Sequence, residues 1–177
     1  MNDIEIRPGT PADADPVAVL HIQSWRTAYR GIMPDWFLDT LHPGIRSEQW
    51  RDRLTAADPS TALFIAESDG EILGFTYLSA QPDGRVLLDN LHVRPDLKRA
   101  GIGGRLLHRA LLWTATQFPG HPLYLEVLED NLPAIEFYER HGGERTAERI
   151  AHWPQGFDLA EFEYTWPATP PNSEYPG

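Results

Sequence analysis

The stretch VLLDNLHVRPDLKRAGIGGRLLHRALLWTATQFPGHPLYLEVL, Val86 to Leu128, decides the architecture. Val86 to Val93 is an apolar run of strand length, ended by Arg94-Pro95. From Gly101 to Phe118, apolar residues at Ile102, Leu106, Ala110, Leu111 and Ala115 recur at helical spacing, and Leu123 to Leu128 is a strand again. The helix opens among Gly101, Gly103 and Gly104. Positions without side chains let a ligand approach the backbone, and the unpaired N–H groups of a first helical turn suit an anion. Between Arg94 and Arg109, five bases (Arg94, Lys98, Arg99, Arg105, Arg109) face one acid, Asp96, a local charge of +4 on a chain of net charge −11. A multiply phosphorylated small ligand needs such an island; without a ligand, the same stretch is a helix start with a solvated basic face. The GxxxxGK[ST] loop is absent, and GIGGRL lacks the sixth-position glycine of a dinucleotide fingerprint.

Working outward, Ile4 to Arg7 reads as a short strand, and Thr10-Pro11 as the start of a helix running to about Tyr29. Asp35 to Leu41 and Arg46 to Ala57 read as two further helices. Ala62 to Glu67 and Glu71 to Ser79 flank Asp69-Gly70, a hairpin signal, and Pro82-Asp83-Gly84 turns the chain into Val86 to Val93. Asn131 to His141 is an amphipathic helix with Pro133 in its first turn. Glu144 to Ala151 and Leu159 to Trp166 close the chain as strands, leaving Trp153 in a loop. The expected fold is an α/β (α+β) mixed, largely antiparallel sheet with helices on both faces. One domain spans residues 1–166, and the proline-rich segment 167–177 reads as a disordered tail.

Composition narrows the function. The chain has 177 residues, 26 acidic against 15 basic, which disfavours nucleic acid as a partner. It has no cysteine, which removes disulfides, thiolate zinc sites and any acyl-cysteine intermediate. The seven histidines show no ligand spacing, so no metal is expected. The acidic start lacks the apolar core of a signal peptide, and no run reaches the ~18 apolar residues of a membrane span, so a cytoplasmic protein without membrane contact is expected. Lys98 is the one lysine among fourteen arginines, consistent with a composition bias.

Two motifs carry a resemblance. Lys98-Arg99-Ala100-Gly101-Ile102-Gly103 fits a [QR]xxGx[GA] loop with lysine in first place, and Asn131 to Gly142 fits NxxAxxxYxxxG through Ala134 and Tyr138. On these residues and the element order from Ile4 to Trp166, the sequence resembles the GNAT superfamily of N-acetyltransferases. The resemblance implies acetyl-coenzyme A as donor. Its pyrophosphate would lie on the N–H groups of Arg99, Ala100, Gly101, Ile102, Gly103 and Gly104, beside Lys98. Its pantetheine would pair along Leu91, His92 and Val93, with Asn131 touching the cofactor and Tyr138 near the sulfur. Gly143 stands where an aromatic commonly follows the motif glycine, which would loosen local packing.

Acetyl transfer requires an unprotonated amine and a proton for the departing thiolate. Neutralising a lysine-like amine of pKa ~10.4 at pH 7 costs about 4.6 kcal/mol, an α-amine near 7.8 only about 1 kcal/mol, so a base matters more for the former. Glu126 is the candidate general base, five residues before Asn131 as in the family's ribosomal-protein N-terminal acetyltransferases, and Asp89 and His92 are reserves. Read without catalysis, Glu126 is a strand carboxylate facing solvent or an arginine. Tyr138 would protonate the sulfur, and the amine would attack directly in a ternary complex. Trp25 and Tyr29, with Trp36, Phe37, Trp50 and Trp153, would shape a pocket for a small-molecule or peptide amine held by cation–π contact, or would simply pack helices onto the sheet. The overall acidity favours a cationic acceptor. The sequence leaves a homodimer open, and the tail is expected to be dispensable for folding; a large loss of thermal stability on its deletion would show that it docks. The alternative function is a catalytically silent module that senses acyl-coenzyme A.

Overall fold

The computed structural model describes residues 4–97 and 99–168. Seven strands form one sheet in the order β1-β2-β3-β4-β5-β7-β6. The strands are β1 (Glu5–Pro8), β2 (Thr61–Ser68), β3 (Glu71–Ala80), β4 (Val86–Val93), β5 (Leu123–Leu128), β6 (Glu144–Trp153) and β7 (Phe157–Trp166). Every neighbouring pair is antiparallel except β4 and β5, whose crossover is the helix expected from Val86 to Leu128. The β2–β3 turn places both Asp69 and Gly70 at positive φ, the conformation an Asp-Gly hairpin turn needs.

The helices are α1 (Ala14–Ala28), α2 (Asp35–Thr40), α3 (Pro43–Thr55), α4 (Ile102–Gln117) and α5 (Leu132–Arg140). Helices α4 and α5 cover one sheet face, where Leu106, Leu107 and Ala110 meet Leu78, Leu88 and Leu125. On the other face α1 and α3 bury Val17, Leu20 and Trp50 against Ile65, Phe75 and Tyr77. A third cluster joins Met33, Phe37 and Leu38 to Leu128 at one end of β5.

Three sequence expectations are corrected in detail. Helix α3 starts at Pro43, not Arg46, because the His42 ring caps it by accepting from the Gly44 N–H at 3.1 Å. Trp153 is not in a loop: β6 and β7 run on to pair Trp153 with Phe157, whose rings stack at 5.5 Å. Gly143 does not loosen its surroundings, since a Cβ there would lie 2.8 Å from the Trp166 ring; Trp166 fills that space. The tail expected from Pro167 lies, from residue 169 on, outside the described residues. No helix among the described residues is long and apolar enough to cross a membrane.

Candidate active site

The site grows from a gap in the sheet. Strands β4 and β5 pair only at Val86–Leu123 and Leu87–Tyr124, then diverge. The far edge of β5 is taken by β7 and that of β4 by β3, so the backbone edge of Leu91, His92 and Val93 faces the cleft unladdered. A bulge assists the divergence: Tyr77 opposes Asn90 and Leu78 opposes Leu88, leaving Asp89 as the extra residue.

The 94–104 loop stands at the open end of β4. Arg99 and Gly101 adopt φ of 73° and 78°, and Gly101 caps α4 with no side-chain hydrogen bond. The N–H groups of Ile102, Gly103 and Gly104 therefore lack intrahelical acceptors. A Cβ on Gly101 would meet open space. Gly103 and Gly104 serve α5 as well, since Cβ atoms there would lie 3.3 Å from Phe137 and 3.0 Å from His141. The expected cationic island is mostly spent on the protein itself. Arg94 pairs with Asp96 and Glu71, Arg105 donates to the Ile4 carbonyl, and Arg109 lies over Phe64. Arg99 is exposed and has no ion pair among the described residues, whereas Lys98 lies outside them.

Gly101→Val is expected to weaken coenzyme A binding roughly ten-fold, because a branched side chain at positive φ costs about 1–2 kcal/mol of loop geometry. Titration calorimetry checks this; equal affinity would remove the loop from the binding site. Gly103→Val is the poorer probe, because it disturbs Phe137 first.

Two carboxylates flank the cleft. Asp89 meets Arg53 at 3.3 Å and keeps 38% of its side chain exposed. The recess around it is nonetheless dry enough for desolvation to raise its pKa, with Arg53 opposing the rise and nearby Glu126 adding to it. Glu126 pairs with Arg149, which also holds Glu161 at 2.6 Å. Glu126 thus has the arginine partner that a structural carboxylate would have, beside the cleft a base would occupy. His92 is buried, its Nδ1 2.9 Å from the Ser24 hydroxyl. Its ring centroid lies 4.9 Å from that of His21, which accepts from Trp50 Nε1 at 3.2 Å. Burial keeps His21 neutral. The Asn90 Oδ1 is buried without a partner among the described residues.

Asn131, the N-cap of α5, makes no capping hydrogen bond with its side chain. Tyr138 is buried against Phe137, Tyr164 and Trp166. Burial, reinforced by Tyr29, drives its phenol far above the ordinary value, so it holds its proton at neutral pH. Tyr29 is pushed up to about 12 for the same reason.

Trp25 and Tyr29 form an aromatic wall with rings 5.3 Å apart, continued by Phe37 and Trp153. A cavity of about 350 Å³ adjoins this wall, lined by residues that include Met33, Asp35, Phe157 and Asp158, away from the 94–104 loop. Trp50 belongs to the core instead, at 1% exposure. The face of Trp25 expected to receive a cation already has one: the Arg46 guanidinium lies 5.5 Å from its centroid. Arg46, Arg53 and Arg149 were not legible as site residues, since each sits in a charged stretch that reads as a solvated face.

The fold that carries this site is shared with solved N-acetyltransferases. The acetyltransferase (GNAT) family matches residues 23–143. A probable N-acetyltransferase of Mycobacterium tuberculosis is 34% identical over 143 residues, covering 78% of this chain and 79% of its own. The peptidyl-lysine N-acetyltransferase YiaC of Escherichia coli is 32% identical over 126 residues, covering 68% of this chain and 80% of its own. In fold, the chain is similar to PaiA N-acetyltransferase from Thermoplasma acidophilum, crystallised in complex with coenzyme A. The TM-score is 0.72 at 19% identity, covering 93% of this chain and 99% of that one. The chain belongs to the GNAT family of N-acetyltransferases and is an acyltransferase.

Proposed function

We propose that this enzyme acetylates a primary amine with acetyl-coenzyme A, the amine attacking within a ternary complex. The observation that carries the reading is the unladdered edge of Leu91–Val93 leading to the helix start at Gly101. The cofactor would supply an activated acetyl thioester. Residues 99–104 would receive its phosphates on backbone N–H groups, and Leu91, His92 and Val93 would hold its amide arm along the strand edge. Asn131 adds a side-chain contact from α5, and the N–H near Val93 is placed to stabilise a developing oxyanion.

In this reading Glu126 accepts the proton of the acceptor ammonium through a water molecule. Tyr138 donates its proton to the departing thiolate and regains one from solvent. The absence of cysteine agrees with direct attack rather than a ping-pong route. Asp89 is the second reading for the base, favoured by the desolvation that raises its pKa. The aromatic wall of Trp25 and Tyr29 and its adjoining cavity would seat the acceptor.

The test is release of free coenzyme A on incubation with acetyl-coenzyme A and a panel of primary amines. Amine-dependent release is expected, with coenzyme A binding that weakens as salt rises. Absence of both coenzyme A binding and amine-dependent release would overturn the proposal.

A further inference from the structure

We propose that the acceptor is an amino acid, or a similar amine bearing a carboxylate, and that Arg46 takes this carboxylate while the amine lies toward Asp89 and Glu126. The inference rests on the acetyl-transfer reading and names its acceptor class. The other two arginines of α3 each hold an acid, Arg51 on Asp15 and Arg53 on Asp89. Arg46 is half-buried, yet its guanidinium has neither ion pair nor hydrogen bond among the described residues. Arg26 and Arg109 also lack a carboxylate, but Arg26 donates to the Leu38 and Leu41 carbonyls and Arg109 lies over Phe64 on the opposite sheet face, which leaves Arg46 as the arginine of α3 with no acid of its own. A buried charge is costly unless paired, and Arg46 has only the face of Trp25.

The surroundings place it at the acceptor end of the cleft. Trp25 beneath Arg46 continues through Tyr29, whose phenol is close enough to perturb that of Tyr138. Loss of water lowers the pKa of the Arg46 guanidinium, the neighbouring Arg53 cation lowers it further, and Asp89, itself paired with Arg53, opposes the fall. The wall itself offers Arg46 no acceptor, since an indole N–H only donates, and those of Trp25 and Trp153 are buried without partners among the described residues. Polarity therefore runs across the site, from the carboxylates of Asp89 and Glu126 to the cation of Arg46. A polyamine would meet repulsion at the Arg46 end. A molecule carrying both ammonium and carboxylate satisfies both ends, and the guanidinium fork suits a carboxylate bidentately. Overall acidity had favoured a cationic acceptor, but at contact distance the nearby charges outweigh the screened field of the whole chain.

The experiment uses matched pairs: histidine with histamine, tyrosine with tyramine, tryptophan with tryptamine, lysine with cadaverine, alongside spermidine and a lysine peptide. Coenzyme A release is followed for the intact protein and for Arg46→Gln and Arg46→Lys. The carboxylate-bearing member of at least one pair is expected to show a KM at least ten-fold below its partner. In Arg46→Gln that ratio should collapse toward one, with partial recovery in Arg46→Lys. Coenzyme A binding verifies that each variant is folded. A preference for the decarboxylated amines, for spermidine or for the lysine peptide overturns the inference and leaves acetyl transfer standing, as does a ratio unchanged in Arg46→Gln. Failure to bind coenzyme A overturns the underlying reading instead.

Discussion

Glutamine at position 126 is expected to lower turnover about 10²–10⁴-fold at neutral pH, the range for loss of a general base, with little change in coenzyme A affinity. The substitution keeps the shape of the side chain and removes its charge. Arg149 retains Glu161, so the surface network is only halved, and exposed pairs of this kind contribute little to stability. The comparison with Tyr138→Phe separates the roles. Rising pH should restore Glu126→Gln, because hydroxide deprotonates the amine, but should do little for Tyr138→Phe, which lacks a proton donor for the sulfur. The high pKa keeps Tyr138 protonated throughout the accessible range but also makes it a weak acid toward a thiolate. Thiolates of pKa ~8.5 leave tolerably unaided, so the Tyr138→Phe loss should be the smaller. Initial rates across pH for both variants, with Asp89→Asn alongside, are the measurement. Full activity of Glu126→Gln together with a large loss in Asp89→Asn would transfer the base to Asp89.

The second large effect concerns folding. Trp50→Ala is expected to cost about 3–5 kcal/mol, the usual range for removing a buried tryptophan, and to lower Tm by roughly 10 °C or more in a chain of this size. Trp50 is 1% exposed and packs edge-on against Phe75 and Tyr77, at 5.5 and 5.2 Å. Its indole N–H also supplies the donor to buried His21 Nδ1, which would be left unsatisfied. Trp50→Phe should lose less, since it keeps most of the ring and forfeits the hydrogen bond. Because α3 carries both Arg46 and Arg53, the alanine variant should lose acceptor binding before coenzyme A binding. A thermal scan with only a small shift would mean that α3 is not part of the cooperative core.

The sequence was most informative where local signals were complete. Strands β4 and β5 have the expected ends, because Arg94-Pro95, Pro122 and the glycine-rich helix start punctuate them. The β2–β3 hairpin follows from Asp69-Gly70. The β6–β7 hairpin was read too short, because the stacked Trp153 and Phe157 that close it look like loop aromatics until their pairing is known. The basic island around Gly101 illustrates a harder limit. Asp96 is a local partner of Arg94, but Glu71 reaches it from another strand and Ile4 reaches Arg105 from the far end of the chain. Likewise, nothing near Arg46 in sequence distinguishes it from Arg51 and Arg53. Only the three-dimensional placement of Asp15 and Asp89 shows which of the three has no acid to itself.

The two-pair junction of β4 and β5 also has a mechanical meaning. One plate, β1 to β4, and a second, β5 to β7, are welded along Val86–Leu123 and Leu87–Tyr124, with α4 as the covalent strap between them. Within each plate, long antiparallel ladders make the sheet stiff. Beyond that weld the plates are held together by side chains alone: Leu106, Leu107 and Ala110 of the strap share one core with Leu78 and Leu88 of the first plate and Leu125 and Tyr164 of the second. The separation of β4 from β5 at the cleft is thus set by the bulk of the strap's apolar face rather than by backbone hydrogen bonds.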